Sequence, residues 1–438
     1  MKFRFSHFLT RTPALNKLLH GIFWSYLGQI LMIGLRFASS MAITRLLTPE
    51  AFGIFGPALA VIFLLEFLSD VGLRQAVGRS ENGENPEFVG TIWTALLIRS
   101  GILASVTIGL AYVLPQWYHT PEIGTALLIL AVRPILLSLG NPMVLVQYRQ
   151  VNYRGPFWLD MTQTIAGIVF TISLAAIYRS YWCLAVGLLA GDVCRTILSH
   201  IILPAAPRFR WDRRSWQEIS HIGWPIFFNT CLYGAWINLE RLLGPRFIET
   251  QTIGYFFAAW TLYEVVDNFL NRAGDVLFSV TARKERDQSA RILMRVSSLI
   301  ARVGVPILSV AAIIAPWFYY QLYPTQYRQA GILLGVLSAR LPIRALIQVQ
   351  VVHLVTSHRV ILASWSYLIS LLVGVIILKP LILAHGVLGM AFCAVIATYT
   401  LGLSQTILLI YEKEMRIGPF LVALGWSLLA AAIILTVY

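Results

Sequence analysis

One apolar segment of the sequence carries six polar side chains at regular intervals. It covers positions 262–278 and reads LYEVVDNFLNRAGDVLF. Intervals of three, four, seven, eight and eleven residues place these side chains on one face of a helix and the apolar residues on the other. The polar set combines carboxylates, amides and a guanidinium: Glu264, Asp267, Asn268, Asn271, Arg272 and Asp275. Such a face can bind an anionic group through arginine, or a proton or cation through its carboxylates.

The chain that must position this face has the composition of a membrane protein. Of its 438 residues, 58% are hydrophobic and 12% are charged, and the mean hydropathy is +0.72. Apolar runs of about 20 residues recur, which is the length that a helix needs to cross a bilayer. We predict an all-α polytopic membrane protein with 12–14 transmembrane helices. The predicted spans are 21–44, 51–72, 89–114, 124–146, 157–177, 181–203, 221–243, 252–278, 296–318, 330–354, 360–382, 385–410 and 418–437.

The distribution of Lys and Arg predicts a cytoplasmic amino terminus. With that orientation most of the 34 Lys and Arg lie in inward loops, as the positive-inside rule requires. The net charge of +14 is then a topological signal, and no soluble basic domain is left to bind nucleic acid. The cations assigned to outward loops are Arg45, Arg179, Arg241, Arg246, Arg328 and Lys379.

Most enzyme chemistry is disfavoured by the loops and motifs. The longest predicted loops are about 15 to 20 residues, too short for the soluble catalytic domain that a membrane glycosyltransferase usually needs. The sequence has no phosphate-binding glycine loop and no H-E-x-x-H motif, and its eight His are scattered. We therefore expect no catalysis and no cofactor. Four cysteines without C-x-x-C spacing are expected to be packing residues rather than disulfide or zinc ligands: Cys183, Cys194, Cys231 and Cys393.

The sequence repeats itself at about half its length. RLLTPEAFG at 45–53 and RLLGPRFIETQTIG at 241–254 each close one span and lead through Gly into the next. The following spans carry polar residues at i, i+4 and i+8, and we align Glu66 with Glu264. Six spans separate the copies, which predicts two parallel-repeat six-helix bundles around a central cavity. Their predicted bounds are 1–203 and 221–410, with a cytoplasmic interfacial linker at 204–220 and an additional helix in 411–438.

Charged and polar residues deep within predicted spans are the candidates to face that cavity. Arg36 lies about 15 residues, or roughly 23 Å, into the first span and shares a face with Gln29. The seventh span carries Asn229, Tyr233, Trp236 and Asn238. Other arginines lie within or near spans, where snorkelling or a helix–helix hydrogen bond is the alternative to a cavity role: Arg99, Arg133, Arg302, Arg340 and Arg344.

Several sequence blocks resemble the bacterial polysaccharide-biosynthesis flippases of the multidrug/oligosaccharidyl-lipid/polysaccharide exporter superfamily. The blocks are RLLTPEAFG at 45–53, DVGLRQAV at 70–77, WINLERLLG at 236–244, IGYFFAA at 253–259 and HGVLGMAF at 385–392. The family usually has Asp where this chain has Glu240, and many of its members have 14 spans. The resemblance implies translocation of a lipid-linked oligosaccharide, normally on undecaprenyl diphosphate, from the cytoplasmic to the periplasmic leaflet of the bacterial inner membrane. It also implies alternating access.

Residue roles follow from joining the resemblance to the cavity candidates. We expect Arg36 and Arg272 to bind the diphosphate, because a guanidinium supplies both charge and direction. Glu66, Glu264 and Asp267 are expected to couple the cycle through a proton or a cation. Gln29, Asn229, Tyr233, Trp236 and Asn238 are the expected glycan contacts.

Partners and alternatives complete this prediction. The expected partners are membrane lipids, the lipid-linked oligosaccharide, a glycan polymerase and export machinery. A cation-coupled drug or small-molecule antiporter on the same fold is the main alternative, because the segment at 262–278 is acidic. An enzyme of lipid or glycan modification is the third class, and only the membrane location favours it.

Overall fold

The predicted fold class is confirmed in a computed structural model of the chain. The structure describes residues 13–69, 72–150, 152–281, 286–357, 359–411 and 417–437. These residues are almost entirely helical, and no strand occurs among them. Nine segments of the described chain are long and apolar enough to cross a membrane, and one bent pair passes the same test as a tenth. Two of the nine, Glu122–Leu139 and Gln288–Leu322, each combine helices that are given separately below.

The first group of helices occupies the amino-terminal half of the chain. Long helices are joined by short connections, and a single predicted span at 124–146 is divided into three pieces. The helices are α1 (Pro13–Leu46), α2 (Pro49–Leu68), α3 (Leu73–Arg79), α4 (Pro86–Tyr118), α5 (Glu122–Leu130), α6 (Arg133–Leu139), α7 (Met143–Arg149), α8 (Arg154–Tyr178) and α9 (Trp182–Ile202).

The second group begins after the linker and ends near the carboxyl terminus. Its third span is interrupted by a π-helical segment, Ile300–Gly304, and its fourth is bent. The helices are α10 (Arg213–Leu243), α11 (Thr250–Thr281), α12 (Arg286–Leu299), α13 (Val305–Leu322), α14 (Arg328–Ser338), α15 (Leu341–Thr356), α16 (Val360–His385), α17 (Val387–Tyr411) and α18 (Gly418–Val437).

Both groups contain a broken fourth span. The break between α5 and α6 precedes Pro134, and the break between α14 and α15 precedes Pro342, where the two helices meet at 41°. Proline removes a backbone donor and restricts the residue before it, so a helix ends or bends there. Interrupted helices at corresponding positions of two repeats are a recognised mark of a transport site.

Helices α2 and α11 join the two groups through a reciprocal glycine contact. A Cβ at Gly53 would overlap the carbonyl oxygen of Thr250, and a Cβ at Gly254 would overlap that of Pro49. Only glycine permits this approach of the two backbones. In this contact Pro49 is equivalent to Thr250 and Gly53 is equivalent to Gly254, and the two residues of each pair are the same number of positions apart in the sequence. The same separation relates Glu66 to Asp267. The structural equivalent of Glu66 is thus one helical turn beyond Glu264, the residue aligned with it in the sequence.

Two tyrosines connect the two groups of helices at the same end of the molecule as the glycine contact. The Tyr118 hydroxyl donates to the carbonyl of Leu242 at 2.8 Å, and the Tyr327 hydroxyl donates to the carbonyl of Leu47 at 2.8 Å. Each bond satisfies a carbonyl near the end of a helix. These contacts and the glycine contact close the space between the groups at the loops that follow α1 and α10.

The linker crosses the opposite end and is attached to α4. The Thr94 hydroxyl donates to the carbonyl of Arg210, and the ring of Phe209 lies 4.0 Å from that of Trp93, centre to centre. Asp212 then begins α10 by accepting the amide N–H of Ser215 at 2.7 Å. Bonding to Ser215 lowers the pKa of the Asp212 carboxyl from its ordinary value, because these bonds favour the charged form.

Candidate functional site

A cavity of about 610 Å³ lies between the two groups of helices. Helices α2, α3, α4, α6 and α7 form one wall, and α10 and α11 form the other. Aromatic and aliphatic side chains supply most of the lining, and charged groups interrupt it on both sides. In the described part of the chain, the charged lining residues are Glu66, Arg99, Arg241, Glu264 and Asp267.

On the amino-terminal wall, one arginine forms ion pairs with two carboxylates. Arg133 Nη1 lies 2.5 Å from Glu66 Oε1, and Arg133 Nε lies 3.3 Å from Asp192 Oδ2. The second contact is an ion pair that lacks hydrogen-bond geometry, since neither atom has a hydrogen-bond partner among the described residues. Gln163 Nε2 donates to Asp192 Oδ1 at 2.5 Å. The Glu66 side chain is 29% exposed and that of Asp192 is 0% exposed, so only one of the two carboxylates meets the cavity.

Arg99 attaches α4 to the end of α2. Its Nε donates to Ser69 Oγ and its Nη2 donates to the carbonyl of Glu66, both at 2.8 Å. That carbonyl is among the last four of α2, which have no partner within the helix. Arg99 therefore satisfies the helix end and places a positive charge on the cavity wall beside Glu66.

The carboxyl-terminal wall holds a more enclosed ion pair. Arg344 Nε lies 2.7 Å from Asp267 Oδ1, and Arg344 Nη2 lies 2.8 Å from Asp267 Oδ2, which is a two-pronged contact. The two side chains are 1% and 5% exposed. Tyr263 Oη donates to Asp267 at 3.2 Å, and Arg344 Nη2 also donates to Asn271 at 3.3 Å. Burial of the pair is compatible with stability because both charges are compensated and hydrogen-bonded.

Two further guanidinium groups flank the indole of Trp260. Arg241 lies 4.4 Å from the ring centre and Arg340 lies 5.2 Å from it. Arg241 lines the cavity, and it is also within electrostatic range of Glu264. Several donors in this cluster have no hydrogen-bond partner in the described part of the chain: Arg241 Nε, Trp260 Nε1, and Arg340 Nε and Nη1. A wall with unpaired donors and a stacked cation has capacity to bind oxygen-rich or anionic groups.

The structure brings some of the sequence-predicted residues together at this cavity. Glu66, Tyr233, Glu264 and Asp267 all contribute to its lining. Tyr233 also spans the interface between the groups, with its ring 5.6 Å from that of Phe67.

Other predicted residues lie elsewhere. Trp236 Nε1 donates to Ser370 Oγ at 2.8 Å, Asn238 Nδ2 donates to the carbonyl of Gly234 at 2.8 Å, and Asn229 accepts from Ser364 at 3.1 Å. These three side chains are therefore engaged within the carboxyl-terminal helices. Arg36 is exposed on α1 and is not among the residues that line the cavity. The side chains of Gln29 and Arg272 lie outside the described part of the structure.

For Arg133 and Arg344 the sequence leaves a cavity role open beside snorkelling or a helix–helix hydrogen bond. The structure pairs them with Glu66 and Asp267 on other helices, which agrees with the helix–helix alternative. Arg241 had been assigned to an outward loop, but α10 extends to Leu243 and carries it onto the cavity wall. A usable signal existed for the first two, since each lies within two residues of the proline at a helix break.

The chain is similar in sequence to known proteins. A family described as polysaccharide biosynthesis protein matches residues 42–332. The succinoglycan biosynthesis transport protein ExoT of Rhizobium meliloti (strain 1021) is 22% identical over 332 residues, covering 75% of this chain and 67% of the relative. The lipopolysaccharide biosynthesis protein WzxC of Escherichia coli (strain K12) is 20% identical over 303 residues, covering 66% of this chain but only 59% of the relative.

A solved structure supports the fold assignment. The chain is similar to the lipid II flippase MurJ in its inward closed conformation, with a TM-score of 0.73 and 13% identity over 96% of this chain and 93% of that one. At that identity the likeness establishes the fold alone. The sequence and structure matches confirm the resemblance that the sequence blocks predicted.

Proposed function

Because the chain belongs to the polysaccharide biosynthesis protein family, we propose that it translocates a lipid-linked oligosaccharide across the bacterial inner membrane. The cargo is an undecaprenyl-diphosphate glycan, moved from the cytoplasmic to the periplasmic leaflet by alternating access. The amino terminus is cytoplasmic, and a glycan polymerase and export machinery use the product. The protein performs this step as a transporter and not as an enzyme.

The observation that carries this proposal is the pair of cavity arginines. Arg99 belongs to the amino-terminal wall and Arg241 to the carboxyl-terminal wall, and both line the same cavity of about 610 Å³. A volume in the range of about 300–1,000 Å³ suits a ligand of several hundred daltons, such as a diphosphate with its first sugars. A diphosphate gains most from guanidinium groups in a site of low dielectric constant.

The roles expected for Arg36 and Arg272 are retained as part of the proposal. Exposure of Arg36 on α1 is suited to a first encounter with a charged head group before it enters the cavity. Arg241 and Arg99 would then hold the diphosphate inside. Arg241→Gln is expected to slow transport more than Arg36→Gln, because Arg241 lines the cavity and Arg36 is not among its lining residues.

A role for carboxylates in coupling is proposed for Glu66, Glu264 and Asp267. Glu66 has the most suitable surroundings, since it faces the cavity and shares Arg133 with Asp192. A proton on Glu66 would leave Arg133 to Asp192 alone and loosen the tie between α2 and α6. Glu66→Gln is expected to abolish the response of transport to an imposed pH gradient. An unaltered response to both pH and sodium gradients in this variant would remove Glu66 from the proposal.

A cation-coupled antiporter is the second candidate. Among the described residues, three carboxylates line the cavity against two arginines, which favours a cationic solute. Arg133 and Arg344 stand behind two of those carboxylates and offset their charge. The flippase therefore remains the better-supported function.

The sidedness of lipid-linked oligosaccharide in membranes depleted of this protein tests the proposal. A glycan-cleaving probe that reaches only the periplasmic leaflet would be applied to depleted, wild-type and Arg241→Gln membranes. We expect protected, cytoplasm-facing glycan to accumulate unless the wild-type protein is restored. Unchanged sidedness with normal polymer export would contradict the proposal and direct the search to small cationic solutes.

A further inference from the structure

A second cavity, of about 470 Å³, lies on the outer side of the second group of helices. Its described lining comes from α12, the π-helical segment and the first turn of α18. It shares no lining residue with the central cavity. It is therefore a separate site that the proposed transport step does not use.

The surface around this cavity is apolar apart from two cations. Leu299 is 62% exposed and Val303 is 50% exposed, as expected for side chains that contact acyl chains. Arg295 and Arg302 are also exposed and line the cavity. They lie two helical turns apart, about 10 Å along the axis, so both point to one side of the helix. A guanidinium on a lipid-facing surface is costly unless it reaches an anionic partner.

The amino terminus of α18 also favours an anion at this cavity. Pro419 brings the amino-terminal turn of α18 to the cavity, and this is the positive end of the helix dipole. No carboxylate is found among the described lining residues.

The helix geometry also changes at this point. Ile300–Gly304 forms a π-helical segment between α12 and α13, and it contains Arg302. Such segments widen a helix and occur frequently at functional sites.

We propose that this cavity, here named the outer headgroup site, binds the phosphate of a phospholipid from the surrounding bilayer. Arg295 and Arg302 pair with the phosphate oxygens, and the α18 terminus adds its dipole. The site opens on the apolar outer surface, so acyl chains attached to the phosphate extend along Leu299 and Val303. The bound lipid bridges α12 to α18 and stabilises α18 against the rest of the molecule.

The experiment measures thermal stabilisation and retained lipid in the full-length purified protein. Phosphatidylglycerol is the probe, and a diacylglycerol with the same acyl chains controls for the apolar contribution. The test variant is Arg295→Gln/Arg302→Gln, and the matched control is Arg179→Gln/Arg328→Gln, which removes two exposed cations from the opposite end of the helices. Arg295→Lys/Arg302→Lys retains the charge and tests for a general folding defect.

We expect phosphatidylglycerol, but not diacylglycerol, to stabilise the wild type and to remain bound in native mass spectrometry. The Gln variant should bind about tenfold less tightly or worse, whereas the opposite-end control should match the wild type. Equal stabilisation of the wild type and the Gln variant, or by the two lipids, would overturn the proposal. Stabilisation by undecaprenyl diphosphate alone, lost in the Gln variant, would reassign the site to the transported lipid and likewise overturn it.

Discussion

The two walls of the central cavity compensate the charge of a carboxylate in different ways. On the amino-terminal wall Arg133 is shared by Glu66 and Asp192, and Glu66 is partly open to the cavity. On the carboxyl-terminal wall Arg344 grips Asp267 with two nitrogens and both side chains are almost completely buried. Equivalent positions on α2 and α11 thus hold an accessible, shared carboxylate and an enclosed, dedicated one. Of these two carboxylates, Glu66 is therefore better placed to change charge during a cycle.

Neutralising the two equivalent carboxylates should produce the largest difference in stability between variants of the two walls. Asp267→Asn leaves Arg344 buried without a counter-charge, and we expect a loss of about 3–5 kcal/mol in the free energy of unfolding. Glu66→Gln leaves Arg133 paired with Asp192, so we expect a much smaller loss. Thermal and denaturant unfolding of both purified variants would measure the difference. Equal losses would show that the two walls do not differ in this respect.

Substitutions at the two glycines of the contact between α2 and α11 should destabilise the protein equally, unlike substitutions at the two ion pairs. Gly53→Ala and Gly254→Ala each place a Cβ onto a carbonyl oxygen of the other helix, and overpacking of this kind costs about 1–3 kcal/mol. Gly101→Ala on α4 is the matched control, because a Cβ there meets no neighbouring atom within 4 Å. Unfolding measurements should give similar losses for the first two variants and none for the control. A stable Gly254→Ala protein would contradict the close approach of the two backbones.

Substitutions at helix caps, one in each group of helices, should have the smallest effect on stability. Asp212 caps α10 and Asn85 caps α4, each by accepting a backbone N–H. Because the pKa of Asp212 is lowered in the folded state, its contribution to stability is present above the ordinary Asp pKa of about 3.9 and is lost as the pH falls through the lowered value. Asp212→Ala should therefore reduce the unfolding temperature at neutral pH and do so less in acid. Asn85→Ala should cause a pH-independent decrease, and the same pH response in both variants would argue against a charged cap.

The sequence predicted the helices well because bilayer-spanning runs have a strong and uniform signal. Pro134 and Pro342 are visible in the sequence, but each lies within a continuous apolar run. Prediction from hydropathy therefore joins α5 to α6, and α14 to α15, into single spans. The register of the repeat was wrong by one helical turn, because Glu264 and Asp267 both lie on the polar face of α11 and only the contact at Gly53 and Gly254 distinguishes them.

Side-chain partners were the least predictable part of the site. Glu66, Tyr233, Glu264 and Asp267 could be found from helical spacing because they lie on the polar faces of α2, α10 and α11. Arg133, Asp192 and Arg344 are brought to these faces from helices distant in sequence, and no local pattern records such a contact. Arg241 was missed because a charge near the predicted end of a span is read as a loop residue.

Translocation by the purified protein in liposomes tests the central claim that arginines from both walls carry an anionic head group through one cavity. An undecaprenyl-diphosphate oligosaccharide in the inner leaflet would be followed by its exposure to an external glycan-cleaving enzyme. We expect wild-type protein to expose it, Arg241→Gln and Arg99→Gln to slow exposure about tenfold or more, and Arg241→Lys to retain part of the rate. Arg179→Gln, at an exposed position outside the cavity, should match the wild type. Exposure at the rate of empty liposomes, or an unchanged rate in both Gln variants with normal thermal stability, would contradict this account.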